Sequence, residues 1–179
     1  MPEGPYRRLY LLVEGVDDLR FLERVVIPAL SARYDYILPW QYAQQKPEKV
    51  HSFLRSIRSI GADYFFLADV DAHLCFPSKR QALLDKFTEL QGSQTLIVVT
   101  EIESWYLAGV PENNDLGVQV SPNTSGVTKE QFDAARPKAF DSRIDYMIEL
   151  LKVFSIETAA QRNPSFQYFA RRCRLLSSG

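Results

Sequence analysis

Two apolar runs in this chain end in acidic residues. The run at residues 11–13 is followed by Glu14, and the run at residues 65–68 is followed by the pair Asp69 and Asp71. A short apolar run bounded by glycine or charge is typical of a strand buried in a parallel sheet. Ligands of open α/β sheets bind beyond the carboxyl ends of the strands. The sequence therefore predicts three carboxylates at one edge of a parallel sheet.

Strand and helix signals alternate along the first half of the chain. Apolar or β-branched runs predict strands at residues 9–13, 34–40, 64–68 and 95–100. Apolar residues at helical spacing predict helices between them, in the segments 17–29, 47–61 and 78–92. This alternation indicates an α/β fold with a central, mostly parallel sheet flanked by helices.

The second half has a different composition. Residues 109–127 are rich in Gly, Pro, Asn and Ser and predict a long surface loop. Three helices are expected after it, and the middle one should bury a stripe formed by Ile144, Met147, Ile148 and Leu151. We expect residues 1–108 to form the α/β core and residues 109–179 to be a loop and helical appendage packed on it, in a single domain overall.

Short polar side chains mark where these helices should begin, since their oxygens accept hydrogen bonds from the first-turn amides. The expected capping residues are Asp17 or Asp18, Ser78 with Gln81, Thr128 with Gln131, Asp141, and Asn163 before Pro164.

Overall composition limits the classes of partner. The chain has 179 residues, of which 46% are hydrophobic, and a formal net charge of -1. That charge gives no general attraction to nucleic acid or to an anionic membrane, so binding a polyanion would need a local basic patch or a metal ion. The longest apolar runs have the length of strands, so we expect no membrane span and a cytoplasmic protein in which Cys75 and Cys173 stay reduced.

The pair Asp69 and Asp71 is the clearest candidate for metal binding. Residues two apart in an extended segment point the same way, so both carboxylates would face one spot. Such close like charges repel unless a cation or a proton intervenes. The alternative, that both residues cap the next helix, is weakened because Pro77 and Ser78 already supply a helix start.

Glu101 and Glu103 show the same spacing after the last apolar run. If that strand is parallel to the others, both glutamates reach the same edge of the sheet, and one of the two is enough for a metal role. Trp105 and Tyr106 either close the site or pack in the core.

These residues resemble a known family. Glu14-Gly15 and Asp69-Val70-Asp71, each after an apolar run, resemble the Toprim domain of topoisomerases, primases, small RNA-maturing nucleases and OLD nucleases. Segments 101–108 and 163–166 are similar to stand-alone Toprim-like proteins, which are often associated with phage defence or paired with an ATPase. The resemblance spans most of the chain, with the Toprim part at about residues 7–108, and implies a Toprim-like Rossmannoid fold.

The resemblance also implies roles for individual residues. Glu14 matches the family's glutamate, a general acid/base or metal ligand, and Asp69 and Asp71 match the acids that hold Mg²⁺. Asp18, or its neighbour Asp17, falls where OLD-type members carry a further acidic residue. His73 stands where some members have a third aspartate, and it is either a ligand for a softer metal such as Mn²⁺ or an ordinary loop residue.

The function implied is Mg²⁺- or Mn²⁺-dependent hydrolysis of phosphodiester bonds in DNA or RNA. Glu14, Asp69 and Asp71 would be catalytic, and the metal ligands would come from these three together with Glu101, Glu103 and Asp18. Substrate phosphates would meet Lys79, Arg80 and Lys138, although each of these cations is equally consistent with a solvated surface.

Two other functions remain open. The chain could be a non-catalytic module that binds metal or nucleotide and docks on a partner ATPase. It could also be a phosphatase-like hydrolase, although Asp71 is followed by Ala72 and His73, where those enzymes carry Gly and Thr. The chain lacks the DNA gate of a topoisomerase and the zinc and helicase modules of a primase, which argues against those activities.

Overall fold

The computed structural model describes residues 4–70 and 75–176. These residues divide into two compact units. The first contains residues 4–68 and 75–97, and the second contains residues 69–70 and 98–176. The sequence placed a boundary at residue 108, and whether both parts form one domain stays a prediction.

A parallel four-stranded sheet forms most of the first unit. Its strands are β1 (Arg8–Val13), β2 (Tyr36–Gln41), β3 (Asp63–Asp69) and β4 (Thr95–Val98), and their spatial order is β2-β1-β3-β4. The last residues of β3 and β4, Asp69 and Val98, belong to the second unit. In the register, Leu12 of β1 lies opposite Trp40 of β2 and Phe66 of β3. This sheet, flanked by helices, confirms the predicted α/β fold.

Burial explains why the central strand β1 is an uninterrupted apolar run in the sequence. In β1 the completely buried residues are Leu9, Leu11, Leu12 and Val13. They are buried because β1 pairs with a strand on each side and helices flank the sheet. Strand β2 lies at an edge of the sheet, is half-exposed along most of its length, and contains Pro39.

The helices of the first unit lie between the strands. They are α1 (Val16–Phe21), which continues through a π-helical turn (Leu22–Val26) into α2 (Ile27–Leu30), then α3 (Pro47–Ser59) and α4 (Phe76–Lys86). The sequence predicts an apolar stripe in α3 formed by Val50, Phe53, Leu54 and Ile57; all of these are buried except Phe53, which is half-buried. Among the described residues, no helix is both long and apolar enough to cross a membrane.

Two helix starts in this unit differ from the predictions. Gly15 is the N-cap of α1, and Asp18 lies in the first turn, where its Oδ2 accepts a hydrogen bond from the Gly15 amide at 2.9 Å. Helix α4 begins at Phe76, two residues before Ser78, so the predicted capping box of Ser78 with Gln81 is not formed. Pro77 accounts for the earlier start, because proline suits the first turn of a helix.

The second unit is helical. Its helices are α5 (Glu103–Ala108), α6 (Lys129–Ala134), α7 (Arg143–Lys152), α8 (Ile156–Arg162) and α9 (Pro164–Arg172). The segment between α5 and α6 contains no helix or strand, as the sequence predicted for residues 109–127. Large aromatic side chains fill the interior, and the fully buried ones are Trp105, Tyr106, Phe132, Tyr146, Phe166 and Phe169.

Of the three helix starts that the sequence predicts for this unit, two are found. Thr128 and Gln131 form the predicted capping box of α6, and the Asn163 side chain caps α9. Helix α7 is capped by Ser142 in place of Asp141.

The buried face of α7 also differs from the prediction. Met147 and Leu151 are buried as predicted, but Ile144 is 52% exposed and Ile148 is half-buried. Tyr146 and Leu150 are buried in their place.

Candidate functional site

Glu14 directly follows β1 and lies among polar groups of the first unit. Its Oε1 accepts a hydrogen bond from the Tyr42 hydroxyl at 2.9 Å, and Lys79 Nζ lies 3.6 Å from the same oxygen. Tyr42 follows β2, and its hydroxyl also lies 3.1 Å from the carbonyl oxygen of Leu67 in β3. Three neighbouring strands therefore bring their carboxyl ends to this group.

Tyr42 and Lys79 thus contact the same oxygen of the Glu14 carboxylate. Lys79 lies in α4, is only 8% exposed, and supplies a compensating positive charge. Tyr42 is buried and has a single hydroxyl proton, which it can donate either to Glu14 or to the Leu67 carbonyl.

Lys79 was predicted as a phosphate contact, whereas Tyr42 was not among the predicted site residues. In the structure Lys79 is an ion-pair partner of Glu14. The signal for Tyr42 was its position immediately after a strand parallel to β1, where the Tyr42 amide donates to the Val13 carbonyl at 2.9 Å.

Asp69 is the last residue of β3, and its side chain is half-buried. Asp71 and His73 lie outside the described residues. Within residues 4–70 and 75–176, no group of three His, Cys, Asp or Glu side chains is close enough together to hold a metal ion. The predicted meeting of Glu14, Asp69 and Asp71 stays a prediction, because one of its three members is not described.

Asp18 is buried, and its carboxylate accepts a hydrogen bond from the Gly15 amide, which holds the turn after β1. Asp17, the other candidate at this position, forms an ion pair with Arg20 at 2.5 Å. Both carboxylates therefore have partners within their own helix or its cap.

Glu101 and Glu103 do not lie in an extended segment. The backbone at Ile102 is helical, and Glu103 is the first residue of α5, so the two side chains do not share a direction through strand geometry. Glu101 Oε2 accepts a hydrogen bond from the Lys129 amide at the start of α6. Glu103 pairs with Arg143 of α7.

The Glu103 carboxylate is nearly buried, with 6% of its side chain exposed. Burial raises its pKa above the ordinary value of 4.5, although the neighbouring Arg143 acts in the opposite direction. Arg143 also bonds Asp133 at 2.6 Å, so it joins α5, α6 and α7 within the second unit. These contacts give Glu103 a structural role, and its predicted role as a metal ligand stays untested.

Thr100 precedes these glutamates and has a φ of 72°, in the left-handed region that β-branched residues rarely adopt. Its hydroxyl donates to the Ser125 carbonyl at 2.6 Å. This contact holds the strained turn through which the chain passes from β4 to α5. Strain of this kind persists only where surrounding contacts hold it.

The other two predicted substrate contacts belong to different units. Arg80 Nη2 donates to the Gly92 carbonyl at 2.6 Å in the first unit. Lys138 is exposed between α6 and α7 in the second unit.

A buried polar network joins the two segments of the second unit that the sequence singled out. Trp105 Nε1 donates to Ser165 Oγ at 2.8 Å, and Ser165 Oγ donates to Asn163 Oδ1 at 2.8 Å. The Asn163 amide donates to Ser104 Oγ and Thr124 Oγ1, each at 3.2 Å. The acid-aromatic segment of α5 and the Asn-Pro-Ser segment of α9 are thus parts of one hydrogen-bonded core.

Comparison with protein families, with curated proteins and with solved structures finds no significant match to this chain.

Proposed function

We propose that this chain is a Toprim-type nuclease that hydrolyses phosphodiester bonds of DNA or RNA with the help of Mg²⁺ or Mn²⁺. The observation that carries the proposal is the pairing of β1 with β3 as parallel neighbours, because Glu14 follows the first and Asp69 ends the second. Parallel neighbours end at the same edge of a sheet, where ligands of α/β proteins bind.

The candidate ligands agree in chemical type with a magnesium ion. Asp69 and Asp71 offer carboxylate oxygens, which Mg²⁺ prefers, and Glu14 offers a third. Glu103 fits less well, since its carboxylate is paired with Arg143. When bound, the metal would supply positive charge to the phosphate oxygens.

The side chains around Glu14 favour a role in proton transfer. A general acid or base must hold its proton at a defined oxygen, and the Tyr42 hydroxyl, 2.9 Å from Oε1, orients the carboxyl. Lys79, 3.6 Å from the same oxygen, would attract a substrate phosphate while balancing the charge of Glu14.

The test uses the purified chain with plasmid DNA and single-stranded RNA, with Mg²⁺, Mn²⁺ or EDTA. We expect metal-dependent cleavage that Asp69→Asn and Glu14→Gln abolish. Asp63→Asn is the matched control, because Asp63 begins the same strand that Asp69 ends. Cleavage that persists in the Asp69 and Glu14 variants would refute these roles.

The ion pair of Lys79 with Glu14 also supports a second candidate. A carboxylate that is already compensated by an ammonium group needs no metal ion. The chain would then be a non-catalytic module that docks on an ATPase. This candidate predicts a stable complex with an ATPase from a neighbouring gene and no cleavage by that complex with any divalent metal; metal-dependent cleavage would exclude it.

In either role we propose a cytoplasmic protein that acts with an ATPase in phage defence. Phage plating efficiency on cells that carry the wild type or the Asp69→Asn variant tests the biological part of the proposal. Equal plating on both strains would refute a defence role for this carboxylate.

A further inference from the structure

The second unit contains a solvent-open pocket between α8 and the loop that follows α5. Its volume is about 510 Å³, which is within the range of small-molecule sites. Pro111 and Pro122 contribute apolar walls, and Thr158, Gln161 and Arg162 line it from α8. These three residues share one face of the helix through their three- and four-residue spacing.

Arg162 dominates the charge inside this pocket. Its side chain is only 11% exposed, and one guanidinium nitrogen, Nη1, donates to the Val110 carbonyl. A guanidinium carries five N–H donors. In the part of the chain that the structure describes, its remaining donors have no hydrogen-bond acceptor.

The nearest negative group to Arg162 is held loosely. Glu112 Oε1 lies 3.7 Å from Nη2, beyond hydrogen-bonding distance, and the Glu112 side chain is 88% exposed. A carboxylate so exposed is well hydrated and contributes little binding energy. The Glu112 carboxylate therefore lies close to Arg162 but leaves room for the oxygen of an anionic ligand to bond the guanidinium.

Hydrogen-bonding groups for the rest of a ligand are present beside the guanidinium. Among the residues that the structure describes, neither the Thr158 hydroxyl nor the Gln161 amide has a hydrogen-bond partner. Both lie on the face of α8 that carries Arg162.

From these observations we propose that the pocket binds a small organic anion whose carboxylate or phosphate group pairs with Arg162. The apolar proline walls contact the body of the ligand, and Thr158 and Gln161 bond its polar groups. The inference is independent of the proposed nuclease activity, since no residue of that site lines the pocket.

The test is isothermal titration calorimetry of the full chain at constant ionic strength. The probes are succinate, inorganic phosphate and adenosine monophosphate, which separate a carboxylate ligand from a phosphate ligand. We expect at least one probe to bind with a dissociation constant in the millimolar range or lower. Failure of all three to bind at millimolar concentration would overturn the proposal.

Substitutions then locate the binding. Arg162→Gln should weaken it at least about tenfold, and Arg162→Lys should weaken it too, because lysine keeps the charge and loses the planar fork. Arg171→Gln is the matched control, since Arg171 is exposed on α9 and should leave binding unchanged. Equal weakening by the Arg162 and Arg171 variants would show that only net charge matters and would refute the site.

A further variant keeps the test decisive if Arg162 is also needed for folding. Glu112→Gln removes an exposed carboxylate and is expected to fold normally. It should tighten anion binding by about two- to fivefold, because the competing charge is gone. Unchanged or weaker binding in this variant would contradict the proposal.

Discussion

Replacing Asn163 with alanine tests the energetic importance of the buried polar network in the second unit. The Asn163 side chain is completely buried and makes four hydrogen bonds. Its amide donates to Ser104 and Thr124, while its oxygen accepts from the Ser165 hydroxyl and from the Phe166 amide. The last bond is the N-cap of α9.

The expected loss follows from these four bonds. Removing an asparagine N-cap costs about 1 kcal/mol. Each of the three remaining buried bonds contributes a further ~1 kcal/mol, because its partner is left without water to replace Asn163. We therefore expect Asn163→Ala to lower the free energy of unfolding by about 3–4 kcal/mol and the melting temperature by about 6–16 °C.

The assay is urea unfolding followed by tryptophan fluorescence, with circular dichroism as a second probe. Ser142→Ala is the control, because Ser142 caps α7 through the Asp145 amide at a more exposed position and should cost only about 1 kcal/mol. If Asn163→Ala costs no more than Ser142→Ala, the buried network contributes nothing beyond the cap and the reasoning is refuted.

Three further predictions concern other contacts. Gly109→Ala should lower the free energy of unfolding in urea by about 1–3 kcal/mol, since a Cβ at Gly109 would overlap the Phe154 ring; an unchanged free energy would contradict this. Because burial raises the pKa of Glu103 above 4.5, the native state holds its proton more tightly than the unfolded chain does. As the pH rises from 4.5 through that raised pKa, the free energy of unfolding of the wild type in urea should therefore fall relative to that of Glu103→Gln. A rise relative to the variant would refute the raised pKa. Tyr42→Phe should cost about 1 kcal/mol in urea unfolding and slow any metal-dependent cleavage, because Glu14 loses its hydrogen-bond donor; unchanged stability would contradict that contact.

The strands of the first unit could be predicted from the sequence with good accuracy. Strand β1 was expected at residues 9–13 and is Arg8–Val13, and β3 was expected at 64–68 and is Asp63–Asp69. Strands buried on both faces are apolar along their whole length, so a short apolar run between charged residues is a sufficient signal.

Helix α5 could not be predicted, for a physical reason. All its residues are buried, including Glu103 and Ser104, so the segment has no polar face and no helical periodicity. The acidic spacing of Glu101 and Glu103 then resembled the end of a strand. No local sequence pattern indicates the left-handed turn at Thr100. None indicates that Glu103 pairs with Arg143, which lies 40 residues further along the chain.

The buried face of α7 could be predicted only in part, through Met147 and Leu151. Apolar residues occur at positions that fit two different stripes, one through Ile144 and one through Tyr146. Contacts of the Tyr146 ring with Phe132 and Phe140 decide between them, and these contacts come from other elements of the unit.

Pro39 has a consequence for the behaviour of the protein at high concentration. The unpaired amides of an edge strand can hydrogen-bond to a strand of another chain, and aggregation often begins in this way. Proline has no amide hydrogen, and in sheets it is largely confined to edge strands and bulges. Pro39 therefore removes one hydrogen-bond donor from the β2 edge and disfavours edge-to-edge association of copies of this chain.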